Sequence, residues 1–231
     1  EQQFQAYKLA AESMGRKKVV IRTADLGGEK VADCLDLGGE KNPAMGVRGI
    51  RVSLDKEEIF MTQLRAILRA SLYGNLSVMF PMISSVAEVQ RAKLLLGRAG
   101  KELKAEKIPY NEKIEVGVMI ETPAAVMISG ELTREVDFVS IGTNDLTQFT
   151  LGMDRGNERL EPYYDPHHPA LLKMIRIVAN NVHLENKRIS ICGDLAADPE
   201  MTEFFLQIGI DELSVAPGEV LSLRKRIREI Q

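Results

Sequence analysis

The sequence predicts an α/β fold: a (β/α)8 TIM-type barrel that lacks its first strand in this chain. Three observations predict it. Short apolar runs recur along the 231 residues, and most are followed by an amphipathic stretch. The runs are continuously apolar rather than alternating, as strands of a covered parallel sheet are. No low-complexity linker or internal repeat interrupts them, so a single barrel domain is expected over residues 1–231.

The elements follow in order. An amphipathic helix is expected over about Gln2–Met14, then strands at Lys18–Arg22 and Ile50–Leu54. Ile59–Leu72 puts Ile59, Phe60, Leu64, Ile67, Leu68 and Leu72 on one helical face. Leu76–Phe80 is a strand, Val86–Glu106 a long charged helix, and Val116–Ile120 and Phe138–Ile141 are strands. A helix over about Pro169–Asn186 leads into a strand at Ile189–Cys192. Thr202–Ile208 is helical, Glu212–Val215 a strand, and Leu221–Ile230 a closing helix. These are seven strands; a closed barrel needs an eighth, which is expected upstream of Glu1, and the chain, opening without Met, reads as part of a longer protein.

Composition narrows the partners. With a net charge of −3 and only 5% aromatic residues, none of them Trp, the chain has no cationic field and no stacking platform for nucleic acid. The basic run Arg224-Lys225-Arg226-Ile227-Arg228 reads as a solvated face of the last helix. No apolar run approaches the ~18 residues of a membrane helix, and no signal peptide precedes the first helix. Cys34 and Cys192 lie in unlike contexts, which fits a reducing cytoplasm rather than a disulfide frame.

In a parallel barrel the C-terminal strand tips converge on one mouth. Reading off the tips gives Arg22, Glu121, Asn144, Asp145 and Cys192, with Arg48 just before the expected second strand. Glu121 and Asp145 are hard oxygen ligands; two carboxylates completed by water and substrate oxygens suit Mg²⁺. Glu121, ahead of Pro123, also fits a plain first-turn acid. Arg22, Arg48, Arg69 and Arg155 can fork onto phosphate or carboxylate oxygens. At the helical spacing of LRAILRA, Arg69 equally suits a solvated face. Cys192 fits both an inert core thiol and a proton donor. His167 and His168 have no metal-ligand spacing with His183 and read as loop residues, and Cys34 as incidental.

Assembled, VVIRTADLGGEK, NPAMGVRGIR, QLRAILRAS, VMFPMISSVAEV, GVMIETPAA, DFVSIGTNDLTQFTLGMDRGN and ICGDLAAD cover the chain nearly end to end. The chain resembles the C-terminal, phosphoenolpyruvate-binding domain of enzyme I of the bacterial sugar phosphotransferase system. The resemblance implies that Glu121 and Asp145 ligate Mg²⁺ and that Arg22, Arg48, Asn144 and Arg155 hold phosphoenolpyruvate, with Arg69 a further site arginine. It implies that Cys192 protonates the pyruvate enolate. It also implies transfer of the phosphoryl group to a histidine of an N-terminal domain, relay to a phosphocarrier protein, a cytoplasmic location and a homodimer. Val47 stands where relatives usually carry Trp, and the 31–40 loop is unlike theirs. Three alternatives are carried: a fragment of pyruvate phosphate dikinase or phosphoenolpyruvate synthase, a Mg²⁺-dependent pyruvate-enolate lyase, and a non-enzymatic ligand-binding or dimerisation module.

Overall fold

The structure, a computed structural model, describes residues 1–26 and 42–230. The fold is α/β, with six strands among the described residues, and the chain forms two compact units, Glu1–Val118 and Met119–Gln231.

The first unit opens with α1 (Gln2–Met14) and β1 (Lys18–Arg22). A 3₁₀ turn at Pro43–Met45 precedes α2 (Ile50–Asp55), α3 (Glu57–Ala70), β2 (Asn75–Phe80) and α4 (Val86–Ala105). β3 (Glu115–Ile120) follows, its first residues pairing with β2 and its last two opening the second unit. The order is β1-β2-β3, all parallel, and the register sorts the side chains into two faces. Val19, Ile21, Leu76, Val78, Phe80, Val116 and Val118 share one face. On that side Val19 and Ile21 pack with Phe4, Ala11, Ala66, Ala70 and Leu76, joining β1 to α1 and α3. Lys18, Val20, Arg22, Ser77, Met79, Glu115 and Gly117 share the other face. There Lys18 pairs with Glu115, and the Ser77 hydroxyl donates to Glu115 Oε2 at 3.2 Å.

The second unit holds α5 (Pro123–Met127), α6 (Ser129–Glu135), β4 (Phe138–Gly142) and α7 (Thr143–Leu151). A 3₁₀ segment at Glu158–Tyr163 leads to α8 (Pro169–Leu184) and β5 (Arg188–Cys192). Next come α9 (Asp194–Ala197), α10 (Thr202–Gln207), β6 (Glu212–Leu213), a 3₁₀ turn at Pro217–Glu219 and α11 (Val220–Ile230). The order is β4-β5-β6, again parallel. Val139, Ile141, Ile189, Ile191 and Leu213 share an apolar face; Ser140, Gly142, Ser190 and Cys192 share the other. Leu171, Ile175, Val178 and Val182 recur at helical spacing along α8 and are fully buried.

One expected strand is a helix. Ile50–Leu54 reads as β from its branched residues, yet it forms α2. Gly49 enters it at φ 57, a left-handed conformation that starts the turn, and the Ser53 hydroxyl donates back to Gly49 O. The run buries Ile50, Val52, Ser53 and Leu54 in one turn and a half, so tertiary burial overrides the strand preference of so short a segment. The closing strand is also shorter than Glu212–Val215, with Glu212 and Leu213 alone assigned. Cys34 and the 31–40 loop lie outside the described residues.

Candidate active site at the strand tips

In the second unit the polar residues gather where β3, β4 and β5 end. On β3, Glu115, Gly117 and Met119 share one face, and Glu121 follows in the same alternation. Glu121 is buried, with 1% of the residue exposed. Thr122, not Glu121, caps α5: its hydroxyl accepts from Ala125 N at 3.1 Å, with Pro123 at the first helical position. The first-turn-acid reading of Glu121 therefore loses its helical place, since the residue lies ahead of the cap.

Gly142 explains where that carboxylate goes. A Cβ on Gly142 would stand 2.6 Å from Glu121 Oε2 and 3.0 Å from Met119 Sδ. The missing side chain lets Glu121 lie against the end of β4. Gly142 also caps α7, whose first turn carries Thr143, Asn144 and buried Asp145. Two buried carboxylates thus stand just after β3 and in the first turn of α7. Carboxylate oxygens are hard donors of the kind that small cations take. Among the described residues no group of three or more acidic, His or Cys side chains is gathered as a metal cage.

Asn144 and Cys192 are bound to each other's segments. Asn144 Nδ2 donates to Asp194 Oδ2 at 3.2 Å, and Asp194 N donates to Asn144 Oδ1 at 2.8 Å. The Thr143 hydroxyl donates to Cys192 O at 2.8 Å. Gly193, at φ 92, permits this approach, because a Cβ there would collide with Thr143 Oγ1 and come 2.5 Å from Asn144 Oδ1. The Cys192 thiol is half-buried, donates to Ile141 O at 3.4 Å and accepts from the Ser140 hydroxyl at 3.9 Å.

Arg155 follows α7, which Gly152 ends in the left-handed conformation. Its backbone N–H donates to Gln148 Oε1 at 3.0 Å, and its side chain is exposed. Tyr164 lies close by, unforeseen from the sequence. Burial raises its phenol pKa; a hydrogen bond with Thr147 and the charge of Arg155 act against that rise, and Asp194 and Asp145 add to it. One half-buried hydroxyl therefore feels three of these polar groups at once. Its sequence context, Tyr163-Tyr164-Asp165-Pro166, gives no chemical signal. Of the two histidines read as loop residues, His168 caps α8, its Nδ1 accepting from Ala170 N, and His167 Nε2 meets Asp198 Oδ2 at 2.6 Å.

In the first unit Arg22 ends β1, exposed and on the polar face. Arg48 is buried, with Nε and Nη2 on the two oxygens of Asp25 at 3.2 and 3.0 Å. Arg69 is not brought to a strand tip. It lies in the last turn of α3, ahead of the start of β2, with Nη1 3.0 Å from Glu1 and its guanidinium 3.9 Å from the Phe4 ring centre.

Comparison with known proteins places the chain. The model of the PEP-binding domain of PEP-utilising enzymes matches residues 1–231. The chain belongs to that family. It is 46% identical over 229 residues to the phosphoenolpyruvate-protein phosphotransferase of Buchnera aphidicola subsp. Baizongia pistaciae, covering 99% of this chain and 40% of that relative. With the Haemophilus influenzae protein of the same name it shares 47% identity over 230 residues, 100% of this chain and 40% of that one. The chain spans about 40% of the length of these curated relatives. Among solved structures, a citrate lyase of Burkholderia xenovorans LB400 is similar in fold, with a TM-score of 0.55 at 18% identity over 72% of this chain and 53% of that one. No helix among the described residues is long and apolar enough to cross a membrane.

Proposed function

We propose that this chain is the phosphoenolpyruvate-binding catalytic domain of a phosphoenolpyruvate–protein phosphotransferase. It passes the phosphoryl group of phosphoenolpyruvate to a histidine of an N-terminal domain, for relay to a phosphocarrier protein in sugar uptake, and releases pyruvate. The observation that carries the reading is the pair of buried carboxylates, Glu121 packed against Gly142 and Asp145 three residues beyond that glycine, in a chain that the PEP-binding family matches throughout.

Glu121 and Asp145 would hold Mg²⁺, which when bound supplies positive charge for the phosphoryl oxygens and the enolate. Arg22, Arg48, Asn144 and Arg155 are the anion donors. Asn144 gives one amide hydrogen to Asp194 and has a second to offer a ligand oxygen. Arg155, exposed on its loop, is suited to a ligand that arrives from solvent. Arg69 is left out of the set, because Glu1 and Phe4 account for its guanidinium. As the phosphorus–oxygen bond breaks, the electron pair stays on the enolate. The Cys192 thiol then gives its proton to the methylene carbon, forming pyruvate and leaving a thiolate. The whole domain is proposed as a TIM-type barrel in a cytoplasmic homodimer. The likeness to a citrate lyase does not favour the lyase alternative, since 18% identity speaks for fold alone.

Calorimetric titration of phosphoenolpyruvate, with and without Mg²⁺, tests the reading. Mg²⁺-dependent binding is expected; binding that ignores Mg²⁺, or no binding by the full-length protein, overturns it.

A further inference from the structure

Asp25 is the feature of the first unit that the proposed function does not use. It follows Arg22 by three residues and is 7% exposed as a residue; its carboxylate is 2% exposed, against 6% for the Arg48 side chain. Arg48 meets it with two donors, Nε to Oδ1 at 3.2 Å and Nη2 to Oδ2 at 3.0 Å. This two-point fork fixes the plane of the guanidinium as well as its position.

The surrounding backbone is built to hold that fork. Gly49 N donates to Leu26 O at 2.9 Å, docking the segment that bears Arg48 onto the one that bears Asp25. Gly49 adopts φ 57, and a Cβ there would stand 2.6 Å from Met82 Cβ and 3.2 Å from Asp25 Oδ1. Met82, the wall it would strike, is itself held at φ 56, an uncommon conformation for a non-glycine residue. The close approach thus needs glycine at position 49. Breaking a buried carboxylate–guanidinium pair by removing one partner is costly, because water does not replace the lost contact.

We infer that Asp25 is the positioning residue of Arg48: its carboxylate holds Nε and Nη2, and so fixes the plane in which the guanidinium meets a bound oxyanion. The inference rests on the phosphoenolpyruvate reading above. It assigns the Arg22-Thr23-Ala24-Asp25 segment two functions. Arg22 offers charge directly, and Asp25 aims a second arginine borne elsewhere in the chain. Asp25 touches no substrate; it acts through Arg48.

The experiment is a double-mutant cycle on the full-length protein, read by calorimetric titration of phosphoenolpyruvate with Mg²⁺. Asp25→Asn keeps the shape but offers one acceptor where the fork needs two. Asp25→Asn and Arg48→Lys are each expected to raise the Kd by about tenfold or more. The double variant is expected to bind within about twofold of Arg48→Lys alone, because on this proposal Asp25 acts on the ligand through Arg48. A purely structural Asp25 would lower the melting temperature and the binding stoichiometry of Asp25→Asn while leaving its Kd unchanged, and that result overturns the proposal. Multiplying losses in the double variant overturn it as well. If Asp25→Asn does not fold, Asp25→Glu keeps the charge and displaces the carboxylate by one methylene; an unchanged Kd in that variant overturns the proposal, and a raised one supports it. Failure of the unsubstituted protein to bind phosphoenolpyruvate is a separate outcome, which overturns the underlying reading and this inference with it.

Discussion

The two units hold their polar side chains in different ways. In the second unit the holding is shared among several single hydrogen bonds. Thr143, Asn144 and Asp145 are consecutive, and short bonds tie Thr143 to Cys192 and Asn144 to Asp194 at the next strand tip. In the first unit one buried fork does the holding, with Arg48 fixed by a carboxylate 23 residues earlier. Single hydrogen bonds, each worth about 1 kcal/mol, spread the holding over several weak contacts. A buried ion pair is costly to desolvate and gives one rigid geometry. The first arrangement suits an open cation site; the second suits aiming a single donor.

That contrast yields predictions. Asp145→Ala should have the largest effect, abolishing Mg²⁺-dependent binding of phosphoenolpyruvate in calorimetry while the first unit's anion donors stay in place. Gly142→Ala should come next. Its φ of −91 tolerates alanine, so the whole penalty is steric, from Glu121 Oε2 and Met119 Sδ. A loss of about 1–3 kcal/mol in urea unfolding is expected, with weaker Mg²⁺ binding; unchanged stability would mean that the Glu121 carboxylate does not press on β4. Arg155→Lys should weaken phosphoenolpyruvate binding about tenfold, near 1.4 kcal/mol, because an ammonium cannot reproduce the fork. Unchanged affinity would remove Arg155 from the ligand. Cys192→Ala should leave that affinity alone and slow proton exchange at the pyruvate methyl, and equal exchange rates would sink the proton-donor role.

The smallest effect concerns Tyr164. Burial, the leading cause, raises its phenol pKa, so the folded state keeps the proton that an unfolded tyrosine gives up near its ordinary value of 10.0. Its contribution is fully present below that value and is lost as pH rises beyond it. Melting curves above about pH 10 should therefore fall less steeply for Tyr164→Phe than for the parent. Parallel curves would place the hydroxyl in water.

The same contrast governs what could be read from the sequence. Glu121, Asn144, Asp145 and Cys192 could be assigned to strand tips because each ends or follows an apolar run of clear type. The β4–α7 block was the most legible, being contiguous. Asp25 stood in plain view three residues after Arg22, yet nothing in one sequence says that it faces Arg48. Tyr164 was illegible for the same reason: a 3₁₀ segment returns it toward Thr147, and loop path is not written in periodicity. α2 was misread because Ile50, Val52 and Leu54 alternate as a strand would, and its helix is set by the left-handed turn at Gly49. Arg69 was drawn to the site by likeness of motif, whereas its contacts belong to α1.

The clasp between Thr143, Asn144 and the β5 tip has a consequence for solution measurements. Asp194 is exposed, yet its amide hydrogen is given to Asn144 Oδ1 rather than to water. Exchange of that one amide with deuterium should be slow for a surface position and should quicken whenever the first turn of α7 lifts from the strand end. The Asp194 amide is thus a built-in probe of whether the first turn of α7 and the cysteine-bearing strand move as one body.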